Sequence, residues 1–190
     1  MNVLIVSATT KEVQTDYPLL ITGVGMVATA IAVSKALSEK HYDLVVNAGI
    51  AGSFNRSIPL GSVVEVVQDQ LSEMGAQDGT HFLSPTEMDL EVATAVEMSA
   101  QTNLPSVTGI TVNTVHGDDK AISQIVHRLN PQVESMEGAA CMLACQHAGV
   151  PCVQLRGISN YVEKRNKAAW DIPLAIQNLN LELSNFLAEL

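Results

Sequence analysis

Several groups of residues in this chain have types and spacings that could do chemistry. Gly23-Val24-Gly25-Met26-Val27-Ala28 fits the dinucleotide pattern G-x-G-x-x-[GA], follows an apolar run and opens a helical one. Such a loop would set backbone N–H groups against a pyrophosphate. The pattern also wants an acid at the end of the next strand to hold a ribose, and that place carries Asn47 and Ala48. NAD binding is therefore the weakest reading. His116-Gly117-Asp118-Asp119 could offer metal ligands, but Asp118 is equally explained as the N-cap of a following helix, and the cap is favoured. Cys141 and Cys145 stand one helical turn apart, which a metal pair could use. No His and no third cysteine follows at zinc-site spacing, and small buried cysteines are common, so no metal is expected. Neither a Gly-x4-Gly-Lys-[Ser/Thr] phosphate loop nor a Gly-x-Ser-x-Gly nucleophile elbow occurs. What remains is a set of polar residues beside small ones. Glu12 is the sole carboxylate after the first apolar run. Gly49-Ile50-Ala51-Gly52-Ser53 would let a backbone approach a ligand closely. Val133-Glu134-Ser135-Met136-Glu137-Gly138 and Arg156-Gly157-Ile158-Ser159-Asn160-Tyr161 bring further acids, an arginine and an amide.

These groups need elements to hold them. Val3 to Ala8, Pro18 to Thr22, Leu44 to Ala48, Gly61 to Gln68, Val107 to Val112 and Pro151 to Leu155 read as strands, most of them apolar throughout. Between them, helical patterns run from Met26 to Glu39, Thr86 to Ala100, Asp118 to Leu129 and Glu137 to His147. In the first, Val27, Ala30, Ile31, Ser34 and Leu37 share one mostly apolar face. Asn130-Pro131 and Gly149 end the last two. At the C-terminus Ile172, Ile176, Leu179, Leu183, Phe186 and Leu190 form the stripe of an amphipathic helix. Apolar strands separated by helices imply an α/β protein: a single three-layer α/β/α domain over residues 1–190, with a mainly parallel mixed sheet. Ligands of such sheets lie beyond the carboxyl ends of the strands, where most of the polar groups above fall.

Global counts narrow the function. The 190 residues carry a net charge of −10 and are 47% hydrophobic, which excludes a disordered chain. So acidic a protein lacks the basic face that nucleic acid or an anionic membrane requires. No apolar run of about 18 residues exists to span a bilayer. Met1 to Ala8 lacks a basic flank and a small-residue cleavage site, so it reads as a strand and not as a leader. Three cysteines are too few for a disulfide framework, and a reducing cytoplasm fits them best.

Ala8 to Glu12, Val133 to Ala140 and Arg156 to Asn160, taken together, resemble the superfamily of purine-nucleoside phosphorylases and methylthioadenosine/adenosylhomocysteine nucleosidases. Arg156 to Asn166 with Trp170, Thr22 to Ala30 and Asn47 to Phe54 are similar to its futalosine hydrolase branch. The resemblance covers nearly the whole chain and is most specific around Asn160. It implies a nucleoside-phosphorylase-like fold and hydrolysis of the N-glycosidic bond of futalosine, giving hypoxanthine and dehypoxanthine futalosine for a menaquinone route, with no cofactor. It also implies a homo-oligomer, a dimer or larger. By position it makes Glu12 the water-activating acid, Glu137 the ribose-binding glutamate and Met136 its packing partner. Arg156 falls near the attacking water, while Ala51, Gly52 and Ser135 face the substrate. Adenine-releasing relatives carry Asp where this chain has Asn160. An amide offers two N–H donors, which suit N7 and O6 of a 6-oxopurine. Where nucleosidases carry a serine this chain has Ile50. A phosphorylase would need a cationic cradle, and the first loop offers only Lys11 beside Glu12. A non-catalytic nucleoside-binding module would have no use for Glu12. The benzoate of futalosine needs a cation, for which Arg56, Lys164 and Arg165 are the candidates. Only residues 13–17 separate Glu12 from Pro18, where longer members insert a further strand or two, so a sheet edge is expected to be missing there.

Overall fold

In chain order the strands are β1 (Val3–Ser7), β2 (Leu19–Ile21), β3 (Leu44–Ser53), β4 (Val63–Leu71), β5 (Ala76–Asp78), β6 (His81–Leu83), β7 (Ala95–Glu97), β8 (Ser106–Thr111), β9 (Val133–Ser135) and β10 (Cys152–Tyr161). The helices are α1 (Met26–Glu39), α2 (Asp119–Leu129), α3 (Gly138–Ala148) and α4 (Ile172–Ala188). The computed structural model describes residues 1–190. Side chains of β1 alternate between two apolar clusters, Val3 and Ile5 in one and Leu4 and Val6 in the other. In β3, Leu44 and Val46 are set against Val45, and in β10, Val153 and Leu155 against Cys152. Both faces are covered, which is why these runs carry no polar alternation. Leu179, Leu183, Phe186 and Leu187 of α4 seal the first cluster, and Val33 of α1 with Ala139, Met142 and Cys145 of α3 seals the second. This gives the expected layering of helix, sheet and helix.

The sheet is mixed and mainly parallel. β2, β1, β3 and β10 run parallel to one another in that order. From β10 the sheet curls through antiparallel β4, parallel β8 and then β9, which returns antiparallel to β3. Five strands therefore close a ring, and β2 is left at an edge. β2 pairs directly with β1, and residues 13–17 contribute no strand. The ring, with β1 alongside β3, brings the ends of β1, β3, β9 and β10 to one place.

Four expectations need correction. Thr86 to Ala100 is not a helix: a 3-10 turn over Thr86–Met88 stops at Asp89, whose φ is 54°, and Ala95–Glu97 pairs with β4 instead. Val92 and Val96 have helical spacing, but Val96 is buried while Val92 is exposed, and the edge of β4 takes the backbone hydrogen bonds. The Val27–Ile31 face of α1 points to solvent, and its buried residues are Thr29 and Val33. β3 and β10 are each about twice their expected length, because they pair side by side from Val45–Cys152 to Ser53–Tyr161. β9 and the β5–β6 hairpin have no counterpart in the sequence reading. Asp118 does cap α2, accepting from the Ala121 N–H at 2.9 Å.

Candidate active site

The converging strand ends enclose a cavity of about 370 Å³. Glu12 stands in the turn after β1, which Asn180 of α4 ties down through the Glu12 carbonyl at 2.9 Å. Its carboxylate is fixed by three donors: Thr9 N–H at 3.1 Å, Thr9 Oγ1 at 2.9 Å and Ile50 N–H at 3.4 Å. A carboxylate so held presents its remaining lone pairs in a set direction. Ile50 contributes through its backbone N–H and not through its side chain.

Arg156 does not line the cavity. It is buried in β10, donating from Nη2 to Asn47 Oδ1 at 2.5 Å and to Gln154 Oε1 at 3.0 Å. Gly49 leaves room between it and Glu12: a Cβ there would collide with Arg156 Nη1 and lie 3.4 Å from Glu12 Oε1. The guanidinium and the carboxylate thus flank Gly49 without forming an ion pair, and the guanidinium is held off from the ligand space. Gln154 continues the chain of contacts to Asp69 Oδ2 at 2.9 Å, and Thr111 donates to Asp69 Oδ1 at 3.0 Å. Burial pushes the Asp69 carboxyl up to about 6, against the hydrogen bonds of Gln154 and Thr111 and the charge of Arg156, which favour its ionised form.

Glu137 is the N-cap residue of α3, and its side chain does not cap the helix. Its Oε1 accepts the Gly25 N–H at 2.9 Å. Gly25 has φ +98°, a conformation that glycine adopts without strain. The Gly23–Gly25 turn therefore braces a carboxylate and has the N–H groups of both glycines committed, Gly23 to the Ala8 carbonyl and Gly25 to Glu137, which removes the dinucleotide reading. Ser135 lines the cavity and accepts the Gly138 N–H at 3.2 Å, and Met136, Ala51 and Gly52 also line it.

Asn160 reaches the cavity because β10 slips register between Ile158 and Asn160. Its Oδ1 accepts from Ser159 Oγ at 2.9 Å and its Nδ2 donates to the Tyr161 carbonyl at 3.0 Å. One of the two expected amide donors is thus already used, and one is left for a ligand. Exposed Arg165 also lines the cavity, with its guanidinium 5.0 Å from the centre of the Trp170 ring. Arg56 does not line it; it pairs with Glu163 and lies 4.9 Å over the Tyr161 ring.

Two lining residues form a pair that the sequence reading did not join: His116 stood there only as a candidate metal ligand beside Asp118, and Glu134 only as a further acid. His116 and Glu134 form a pair with His116 Nδ1 2.6 Å from Glu134 Oε2, and the His116 N–H donates to Oε1 at 3.0 Å. Only the juxtaposition of β9 with the loop after β8 unites them, so no local spacing signals the pair. The fold also gathers Cys141, Cys145 and Cys152, their Sγ atoms within 4.8 Å of one another and all buried. Sequence spacing hid the third member, which arrives from β10.

The cavity's charge is lopsided: Glu12, Glu134, Glu137 and Glu163 against Arg165. The family model of the phosphorylase superfamily matches residues 8–189. A futalosine hydrolase of Streptomyces coelicolor is 33% identical over 177 residues, covering 86% of this chain and 75% of that one. This chain belongs to the phosphorylase superfamily. Its sequence stands with the futalosine hydrolases of that superfamily, and it is an enzyme of the N-glycosyl hydrolase class. A futalosine hydrolase of Acidothermus cellulolyticus is likewise 33% identical over 174 residues, 85% of this chain and 71% of that one. Among solved structures, a futalosine hydrolase of Helicobacter pylori superposes with a TM-score of 0.82 at 18% identity, covering 99% of this chain and 97% of that one. A 5'-methylthioadenosine/S-adenosylhomocysteine nucleosidase from the same organism superposes with a TM-score of 0.83 at 17% identity, over 99% and 98%. The superfamily fold is thus that of this chain, curled mixed sheet included.

Proposed function

We propose that this superfamily member hydrolyses the N-glycosidic bond of futalosine, releasing hypoxanthine and dehypoxanthine futalosine in the futalosine route to menaquinone. The observation that carries the reading is the Glu12 carboxylate, held by Thr9 and Ile50 in a cavity that also holds Glu137 and Asn160. Glu12 takes a proton from water as the oxygen attacks C1′, and the C1′–N9 electron pair leaves with the base; the departing base takes up a proton from solvent and Glu12 returns its own, so that neutral hypoxanthine is released. Carboxylates around the sugar stabilise the positive charge that develops on it. Glu137 accepts from the ribose hydroxyls, Met136 packs on the sugar, and Ala51, Gly52 and Ser135 complete its walls. Asn160 donates its free N–H to the purine; an amide does not give up a proton, so it stabilises the leaving base by hydrogen bonding alone. Arg156 acts on Glu12 as a positioning residue. The carboxylate-rich cavity disfavours phosphate as the nucleophile. The substrate's benzoate pairs with Arg165 and lies near Trp170, since Arg56 is already engaged by Glu163.

We also propose that residues 1–190 act as one domain in the cytoplasm, without cofactor, as a homo-oligomer. Support for the last comes from α1, where Val27 and Ile31 are 68% and 66% exposed, with Val24 of the cavity beside them at 59%. The function is tested by incubating purified protein with futalosine, inosine or methylthioadenosine, with and without phosphate, and assaying free base. Phosphate-independent release of hypoxanthine from futalosine is expected. A requirement for phosphate, or release from methylthioadenosine in preference, overturns the reading.

A further inference from the structure

We propose that His116 is a specificity-determining residue that reads position 1 of the purine, and that Glu134 is the positioning residue that fixes its tautomer. This deepens the purine-nucleoside hydrolase reading and rests on it. Asn160 by itself discriminates poorly. One of its amide hydrogens goes to the Tyr161 carbonyl, and N7, which the other can reach, is an acceptor in 6-oxo and 6-amino purines alike. The two bases differ more sharply at position 1, which is a donor N–H in hypoxanthine and a bare acceptor in adenine. A site that separates them needs an acceptor next to Asn160.

The structure holds one there. Glu134 is 4% exposed on β9, and both of its oxygens are engaged by one residue, His116. An ionised carboxylate only accepts, so the 2.6 Å contact puts the ring proton on Nδ1. In the neutral ring the other nitrogen, Nε2, then carries a lone pair. The ring lines the cavity and packs edge-on against Phe54 at 6.1 Å and 64°, which restricts its rotation. Gly52 locates the pair beside Asn160: a Cβ there would lie 3.1 Å from Asn160 Nδ2 and 3.7 Å from the Glu134 Cγ. With Asn160 on the N7 side of O6 and His116 on the N1 side, an acceptor meets the N1–H of hypoxanthine. The same lone pair faces the lone pair of adenine N1 and disfavours it.

Glu134→Gln gives the sharpest test. The Gln carbonyl still accepts the His116 backbone N–H, but its NH2 must donate to Nδ1, which moves the ring proton to Nε2 and turns the acceptor into a donor. Wild type, Glu134→Gln and His116→Phe are compared on futalosine and on its 6-amino counterpart by released base, and on hypoxanthine and adenine by calorimetric binding. The oxo-to-amino ratio of kcat/KM falls about tenfold in His116→Phe and further in Glu134→Gln. Equal losses on both substrates in variants that keep the wild-type circular dichroism overturn the assignment and leave the parent reading standing. If wild type releases neither base, the parent reading fails, and the hypoxanthine-over-adenine binding ratio still decides the role of His116. Should either variant misfold, 15N–1H correlation of wild-type His116 with hypoxanthine bound replaces it: a proton on Nδ1 supports the assignment, and one on Nε2 overturns it.

Discussion

The polar and aromatic groups around the cavity fall into two sets built on different terms. The inner set, Glu12, Glu134 and Glu137, sits on or beside buried strands, and backbone N–H groups hold each carboxylate in place. The outer set, Arg56, Glu163, Arg165 and Trp170, is held by an exposed ion pair and by ring stacking. Backbone donors cost nothing extra to order, because the sheet has already fixed them, whereas long exposed side chains must be ordered by the substrate. The inner groups are therefore preorganised for the bond that breaks, and the outer ones tune affinity. Changes to the inner set should lower kcat, and changes to the outer set should raise KM.

The largest effect is expected from Glu12→Gln. The amide oxygen can keep both Thr9 bonds, and its NH2 opposes the Ile50 N–H only across the long 3.4 Å contact, so the fold and the affinity largely stay, while the proton acceptor is lost. A fall in kcat of about 10³-fold with KM little changed is expected in single-turnover assays. An unchanged kcat would remove Glu12 from the chemistry. Gly49→Ala attacks the same carboxylate from behind. The new methyl displaces Arg156 Nη1 and crowds Glu12 Oε1, for an expected loss of about 10² in kcat while hypoxanthine still binds as to wild type.

The buried polar chain behind the inner set, from Arg156 through Gln154 to Asp69, predicts a pH signature. The Asp69 carboxyl titrates at about 6 when folded and near 3.8 when unfolded, so between those values the native state binds more protons. Its contribution to stability is thus greatest below about pH 4, falls as pH rises through the window, and is flat above about 6. The full change is about 3 kcal/mol. In Asp69→Asn the amide faces the Gln154 NH2, and turning Gln154 to suit it would set that NH2 against Arg156. The variant thus carries a mismatch of about 1–3 kcal/mol that does not depend on pH. Urea unfolding of both proteins at pH 4 to 8 should show the stability difference falling across pH 4–6 and level above. A difference that is level throughout would mean that Asp69 is not desolvated as its burial implies.

How much of this the sequence could tell divides along similar lines. Apolar runs and small residues located β1, β3 and β10, and with them Glu12, Gly49 and Asn160, because strand and site are contiguous in the chain. The amphipathic stripe of α4 was equally plain, since Leu179 and Leu183 face a single core. Pairings between distant segments were not legible. Glu134 meets His116 only once β9 docks on β8, and Asn160 turns to the cavity only through a register slip set by β3. Residues 86–100 mislead because Val92 and Val96 have helical spacing, while the open edge of β4 decides their conformation. On α1 two faces are apolar, and periodicity does not say which one packs on α3.

The smallest effect tests the outer set, and there the two arginines should part. Arg165→Ala removes the cavity's cation, so KM for futalosine should rise about 3- to 10-fold, while hypoxanthine, which lacks the benzoate, binds as before. Because the pair would be exposed, the rise should shrink in high salt. Arg56 neutralises Glu163, a lining residue, so Arg56→Ala uncovers a negative charge near the same benzoate and raises KM by a smaller factor. Adding Glu163→Gln to Arg56→Ala should then restore the wild-type KM, since the charge to be neutralised has gone. Arg165→Ala should gain only the modest benefit of losing a nearby carboxylate from the same addition. If Arg56→Ala were the larger effect and resisted rescue, Arg56 would be the direct partner of the benzoate, and the rim would be as firmly committed to substrate as the inner carboxylates are.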